Sequence, residues 1–142
     1  METRAQRIHI KFSVPSDPRY LPVIRGTMSS LAAAIGWDET ECRAIVLAVD
    51  EALANVIRHA YHSRRDGLME LEFRESAEGL EITLLDNGDA PDRSKICARE
   101  IDCDQAGGLG THIIREVMDT VSYEECPLGN RFVAIKRLRK TT

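Results

Sequence analysis

The sequence predicts a single domain of mixed α and β structure, on three observations. Several short runs alternate apolar and polar residues, two longer stretches carry apolar residues at helical spacing, and hairpin-type turn chemistry separates two neighbouring runs. A chain of 142 residues is near the commonest domain size, so one hydrophobic core is expected and a second full domain is not. Hydrophobic residues make up 43% and charged residues 30%, a balance that sets the chain apart from disordered and fibrous sequences.

The elements follow in order. Ile8, Ile10, Phe12 and Val14 alternate with polar residues and stop at Pro15, which predicts an opening strand. From Asp17 to about Ile35 the apolar residues Tyr20, Leu21, Ile24, Met28, Leu31 and Ile35 recur at helical spacing, and Gly36 ends the segment. Asp38 followed by Glu41 reads as an N-cap with a capping-box partner at the start of a second, longer helix. In that helix Ile45, Ala48, Val49, Ala52, Leu53, Val56, Ile57 and Ala60 form one apolar stripe, which must pack on a sheet or another helix. Leu68 to Phe73 and Leu80 to Leu85 read as antiparallel strands joined by a turn over Glu75 to Gly79. Asp89 to Ala106 has little periodicity and is longer than most structureless loops, a length often associated with functional lids. Gly107, Gly108, Leu109 and Gly110 then open a helix bearing Ile113, Ile114, Val117 and Met118, and strands are predicted near Val121 to Glu124 and Phe132 to Leu138.

Charge and composition exclude several roles. Net charge is −4 and the basic residues are dispersed, so no nucleic-acid footprint is evident. The N-terminus lacks the apolar core of a signal peptide, and no run approaches the roughly 20 apolar residues that cross a bilayer, so a cytoplasmic location is expected. The four cysteines, Cys42, Cys97, Cys103 and Cys126, show no Cys-x2-Cys spacing and read as reduced structural thiols. Cys97 and Cys103 lie close together in the polar loop, the one placement where a redox role is conceivable.

Three segments carry candidate chemistry. In VDEALANVIRHAY, Glu51 and Asn55 are four apart and project from one side of the helix, beside its apolar stripe. An Asn in a helix interior near the core needs partners, and an amide oxygen with phosphate oxygens and water is a sufficient Mg²⁺ site. An acid and a satisfied polar residue on an ordinary amphipathic helix is the plainer reading of that pair alone. In LLDNGD an apolar strand ends in Asp86, whose carboxylate can accept from an exocyclic amino group, and Gly88 lets a flat base approach the backbone. Asp-Asn-Gly is also common turn chemistry. In GGLGTHIIREV a glycine-rich turn over Gly107 to Gly110 feeds a helix start, where free N–H groups favour a triphosphate. Thr111 would add a hydroxyl there, and Arg93, Lys95 and Arg99 in the preceding loop would screen phosphate charge. His59 reads as a packing or hydrogen-bonding residue at the site's edge.

Taken in this order, E-x-x-x-N on a helix (Glu51, Asn55), D-x-G at a strand end (Asp86, Gly88) and G-x-G at a helix start (Gly108, Gly110) resemble the N, G1 and G2 boxes of the GHKL, or Bergerat-fold, ATP-binding superfamily. AVDEALANVIRHAY and GGLGTHIIREVMDTVSYE are similar to the corresponding motifs of its small bacterial members, the anti-sigma-factor serine/threonine kinases, and the likeness extends over nearly the whole chain. The resemblance implies a two-layer α/β (α+β) sandwich in which helices cover one face of a mixed, mainly antiparallel sheet. It implies ATP and Mg²⁺ as ligands, with Glu51 as general base, Asn55 as metal ligand, Asp86 as adenine reader, Gly88 as base platform, and Gly108 and Gly110 in the phosphate loop. Two departures stand out: Ala90 replaces the second glycine of D-x-G-x-G, and the threonine often found on the last strand is not evident around Val133 and Ala134.

The function this implies is ATP-dependent phosphorylation of a serine or threonine on an anti-sigma-factor antagonist, together with binding of a sigma factor, in a homodimer. A nucleotide-gated module that sequesters a partner without phosphoryl transfer is the alternative; retention of Glu51 favours the kinase, because a pure binder needs no base. Sensor histidine kinases and the chaperone and topoisomerase branches are not expected at this length.

Overall fold

A computed structural model describes residues 7–90 and 109–139, the side chains of residues 109–111 excepted. Five strands, β1 (His9–Pro15), β2 (Leu68–Glu75), β3 (Gly79–Asp86), β4 (Thr120–Cys126) and β5 (Gly129–Arg137), form one sheet in the order β1-β2-β3-β5-β4. All four pairings are antiparallel. Three helices, α1 (Leu21–Ile35), α2 (Glu39–Asn55) and α3 (Leu109–Val117), supply the second layer. The two-layer α+β architecture expected from the sequence is therefore observed, with the sheet wholly antiparallel among the described residues.

The period-two pattern decides which face is covered. Met69, Leu71 and Phe73 on β2, Leu80, Ile82 and Leu84 on β3, and Phe132 and Ala134 on β5 are all buried. They meet Ile24, Met28 and Leu31 of α1, Ile45, Ala48, Val49, Ala52 and Leu53 of α2, and Ile114 of α3 in a single core cluster. Each large apolar side chain buried this way contributes about 1.5–3 kcal/mol before conformational entropy is counted. The alternate strand residues, among them Glu70, Arg74 and Arg131, put exposed charge on the other face of the sheet, which no described helix covers.

Local signals act largely as the sequence suggests. Asp17 caps a 3-10 turn (Pro18–Tyr20) that leads into α1, and Gly36 ends α1 at φ 131, where a side chain would be strained. The Asp38 carboxylate accepts from the Glu41 N–H at 2.8 Å and caps α2. Glu41 does not return the bond among the described contacts. Its carboxylate lies 3.2 Å from Lys136 Nζ, so half of the expected capping box is replaced by a tie to β5. The far end of α2 departs from regular geometry, since Val56–Ala60 form a π turn closed by the Tyr61 N–H donating to the Val56 carbonyl at 3.1 Å. Periodicity cannot reveal such a turn, because it preserves the apolar stripe while shifting the residues after it.

Candidate functional site

Helix α2 presents Glu51 and Asn55 on one side, both partly buried, as the four-residue spacing requires. Arg58 lies across them. Its Nη2 donates to Asn55 Oδ1 at 3.2 Å and stands 4.0 Å from Glu51 Oε2. Nothing in the sequence alone marks this cation beyond its spacing of three from Asn55, which places it in the π turn that continues α2. The oxygen atoms of Glu51 and Asn55 thus face a positive group, and Arg58 occupies the amide oxygen that a hard cation would take. Among the described residues no cluster of three or more His, Cys, Asp or Glu side chains exists, and a metal at Asn55 would need ligand and water oxygens to complete its shell. His59 is exposed on the π turn.

The second part of the site is the end of β3. Asp86 is a buried carboxylate, 6% exposed, and removal from water pushes its pKa up. Two donors oppose that shift by favouring the ionised form: Asn130 Nδ2 and the Gly88 N–H reach Asp86 Oδ1 at 2.9 and 3.0 Å. Asn130 Nδ2 also lies 3.1 Å from the carbonyls of Gly88 and Asp89, so one side chain of β5 spans the whole turn. Asn130 was not singled out by the sequence. Its only signal is its place after Gly129 in the β4–β5 hairpin, which sets it opposite Asp86 in the register of β3 and β5.

Helix and turn are joined directly. The Asp89 N–H donates to the Ala60 carbonyl at 2.9 Å. A Cβ on Gly88 would stand 2.4 Å from that carbonyl oxygen, so glycine is required here by the close approach of the helix end. This supplies a packing reason for Gly88 beside the expected one, access for a flat base. His62 Nε2 lies 2.6 Å from Asp89 Oδ2 and adds an exposed link across the same junction. Gly129, at φ 133, brings its Cα against the other side: a Cβ there would meet the Asp86 carbonyl at 2.1 Å.

The start of α3 follows the glycine-rich segment, as predicted, and Leu109, Gly110 and Thr111 lie in its first turn. Gly107, Gly108, Arg93, Lys95, Arg99, Cys97 and Cys103 lie outside the described residues. Cys42 is buried and Cys126 partly buried, both as free thiols. No described helix is long and apolar enough to cross a membrane.

The sheet, its single helical layer and the helix-to-turn junction define a class, and comparison with known proteins agrees with it. Residues 14–136 match the model of the histidine kinase-like ATPase domain, and the chain belongs to that family. Within it the chain is 30% identical to the serine-protein kinase RsbW of Bacillus subtilis over 121 residues, which cover 80% of this chain and 76% of that protein. It is 29% identical to the serine-protein kinase RsbW of Listeria monocytogenes over 126 residues, covering 82% and 80%. Among solved structures, the RsbU and RsbW domains of a Mycobacterium tuberculosis protein align with a TM-score of 0.65 at 15% identity, covering 96% of this chain and 34% of that one. The histidine kinase domain of a blue-light-activated kinase from Erythrobacter litoralis aligns with a TM-score of 0.54 at 19% identity, covering 84% and 59%. At those identities the two structures speak to the fold alone. The serine-protein kinase class expected from the sequence is the class of the chain's relatives, and ATP is the phosphoryl donor such a domain uses.

Proposed function

We propose that the chain phosphorylates a serine or threonine on an anti-sigma-factor antagonist, using Mg-ATP bound between α2 and the Asp86 turn. The observation that carries this reading is the bonded junction of Asp89 with Ala60, which holds a buried carboxylate beside the helix that bears Glu51 and Asn55. On this reading Asp86 accepts from the adenine amino group. The described bonds to its carboxylate fall on Oδ1, and Oδ2 is the oxygen assigned to the base. Asn55 holds Mg²⁺, which offsets phosphate charge when bound. The glycine-rich segment Gly107 to Gly110 receives the phosphates through backbone N–H groups, and Thr111 adds its hydroxyl.

Glu51 takes the proton of the target hydroxyl as that oxygen bonds to the γ-phosphorus and the bond to the departing ADP breaks. Its side chain is 27% exposed, open enough to meet a hydroxyl brought by a partner protein. Arg58 keeps Glu51 and Asn55 facing a positive charge before ligand arrives. Sigma-factor binding, homodimerisation and a cytoplasmic setting complete the proposal and rest on the relationship to the RsbW kinases.

Transfer from labelled ATP to candidate antagonist proteins tests the assignment, with wild type compared against Glu51→Ala. General-base removal lowers the transfer rate about 10²–10⁴-fold while ATP still binds. Unchanged transfer by Glu51→Ala contradicts the base role, and tight ATP binding by wild type without labelling of any antagonist supports a nucleotide-gated binding module instead.

A further inference from the structure

The turn that carries Asp86 is gripped from below by Tyr61, a residue with no part in the proposed phosphoryl transfer. Tyr61 is 2% exposed, at the end of the π turn of α2. Its hydroxyl oxygen accepts from the Asn87 N–H at 3.0 Å, and its one proton is shared between two acceptors, the Leu68 carbonyl and the Asn87 side-chain oxygen 2.7 Å away. A buried phenol needs a partner, and the Leu68 carbonyl alone would meet that need. The two further contacts fall instead on Asn87, an exposed residue between Asp86 and Gly88. The ring is located separately: a Cβ on Gly67 would stand 2.5 Å from its carbon atoms, so the ring fills the space that Gly67 leaves. Ring packing therefore places the side chain, and the hydroxyl oxygen adds an acceptor for the turn.

We propose that the Tyr61 hydroxyl is a positioning group for base recognition, holding Asn87 so that the Asp86 carboxylate keeps the orientation that selects adenine. The proposal rests on the assignment of Asp86 as adenine reader. Rotation of Asn87 would carry with it the Gly88 N–H that donates to Asp86 Oδ1, since the two residues are adjacent in the turn. Asn130 and the contact of Gly88 with Ala60 hold the turn from other sides, so loss of the hydroxyl loosens the carboxylate without releasing it.

The test measures equilibrium binding of ADP and IDP to wild type and Tyr61→Phe, with steady-state phosphotransfer as a second readout. IDP carries an oxo group where adenine has its amino group, so the ADP-to-IDP affinity ratio reports base recognition. Wild type prefers ADP; Tyr61→Phe weakens ADP binding about tenfold, as expected for loss of one buried hydrogen-bond arm, and leaves IDP binding within about twofold. KM for ATP rises while kcat at saturating ATP is retained. A wild type without preference for ADP overturns the Asp86 assignment itself. A wild-type preference that survives unchanged in cooperatively folded Tyr61→Phe overturns the role of the hydroxyl. If Tyr61→Phe does not unfold cooperatively, 3-fluorotyrosine at position 61, whose hydroxyl is a weaker acceptor for the Asn87 N–H, reads the same arm: a narrowed ratio supports the proposal and an unchanged ratio overturns it.

Discussion

Asn130 and Asp86 face each other across paired positions of β5 and β3, with the amide nitrogen 2.9 Å from a carboxylate oxygen that is almost wholly removed from water. The bond favours the charged form of Asp86 against the desolvation that disfavours it.

Asn130→Ala is therefore expected to destabilise the protein by about 1–3 kcal/mol at neutral pH, because a buried acceptor loses a donor. The pH dependence has a definite sign. Burial raises the folded-state pKa of Asp86, so the folded state binds the proton more tightly than the unfolded state, and stability from this group falls as pH rises through the raised value. Removing Asn130 raises that pKa further. The difference between variant and wild type in urea unfolding should shrink as pH falls through the Asp86 titration, and a difference independent of pH would show that the bond does not act on the carboxylate.

Gly88 and Gly26 offer a paired comparison. A Cβ on Gly88 meets the Ala60 carbonyl, whereas a Cβ on Gly26, in the middle of α1, meets nothing within 4 Å. Gly88→Ala should cost about 2 kcal/mol or more and disturb the junction, while Gly26→Ala should stabilise by about 0.5–1 kcal/mol through helix propensity. Thermal and urea unfolding of both variants check the opposite signs.

Lys136 stitches the helical layer to β5. Its ammonium donates to the Val117 carbonyl at the end of α3 at 2.8 Å and pairs with Glu41 in the first turn of α2, with the side chain only 15% exposed. Lys136→Met should lower unfolding free energy by about 1.5–3 kcal/mol, the usual worth of hydrogen bonds to a charged group. A loss below about 0.3 kcal/mol would show that both contacts are offset by desolvation.

Much of the fold was legible because one face of every element is buried. The stripes of α1 and α2 and the alternation of β2 and β3 each allow only one orientation toward the core, and the structure adopts it. The strand order was not legible, because β5 inserts between β3 and β4 and nothing local in Phe132 to Leu138 specifies that neighbour. The same limit hid part of the site. Glu51, Asn55 and Asp86 carry their spacing or strand-end position in the sequence. Asn130 reaches Asp86 only through cross-strand register, Tyr61 reaches Asn87 only through the π turn, and Arg58 looks like any solvated cation until its contacts with Asn55 and Glu51 are seen.

The central claim is that α2 and the Asp86 turn together bind Mg-ATP, with Asn55 at the metal. Isothermal titration of ATP into wild type and Asn55→Ala, each with Mg²⁺ and with excess chelator, tests it most directly. Wild type is predicted to bind more tightly with Mg²⁺ than without, and Asn55→Ala is predicted to lose that gain while remaining folded. An Asn55→Ala variant that keeps the full Mg²⁺-dependent increase in affinity would contradict the account.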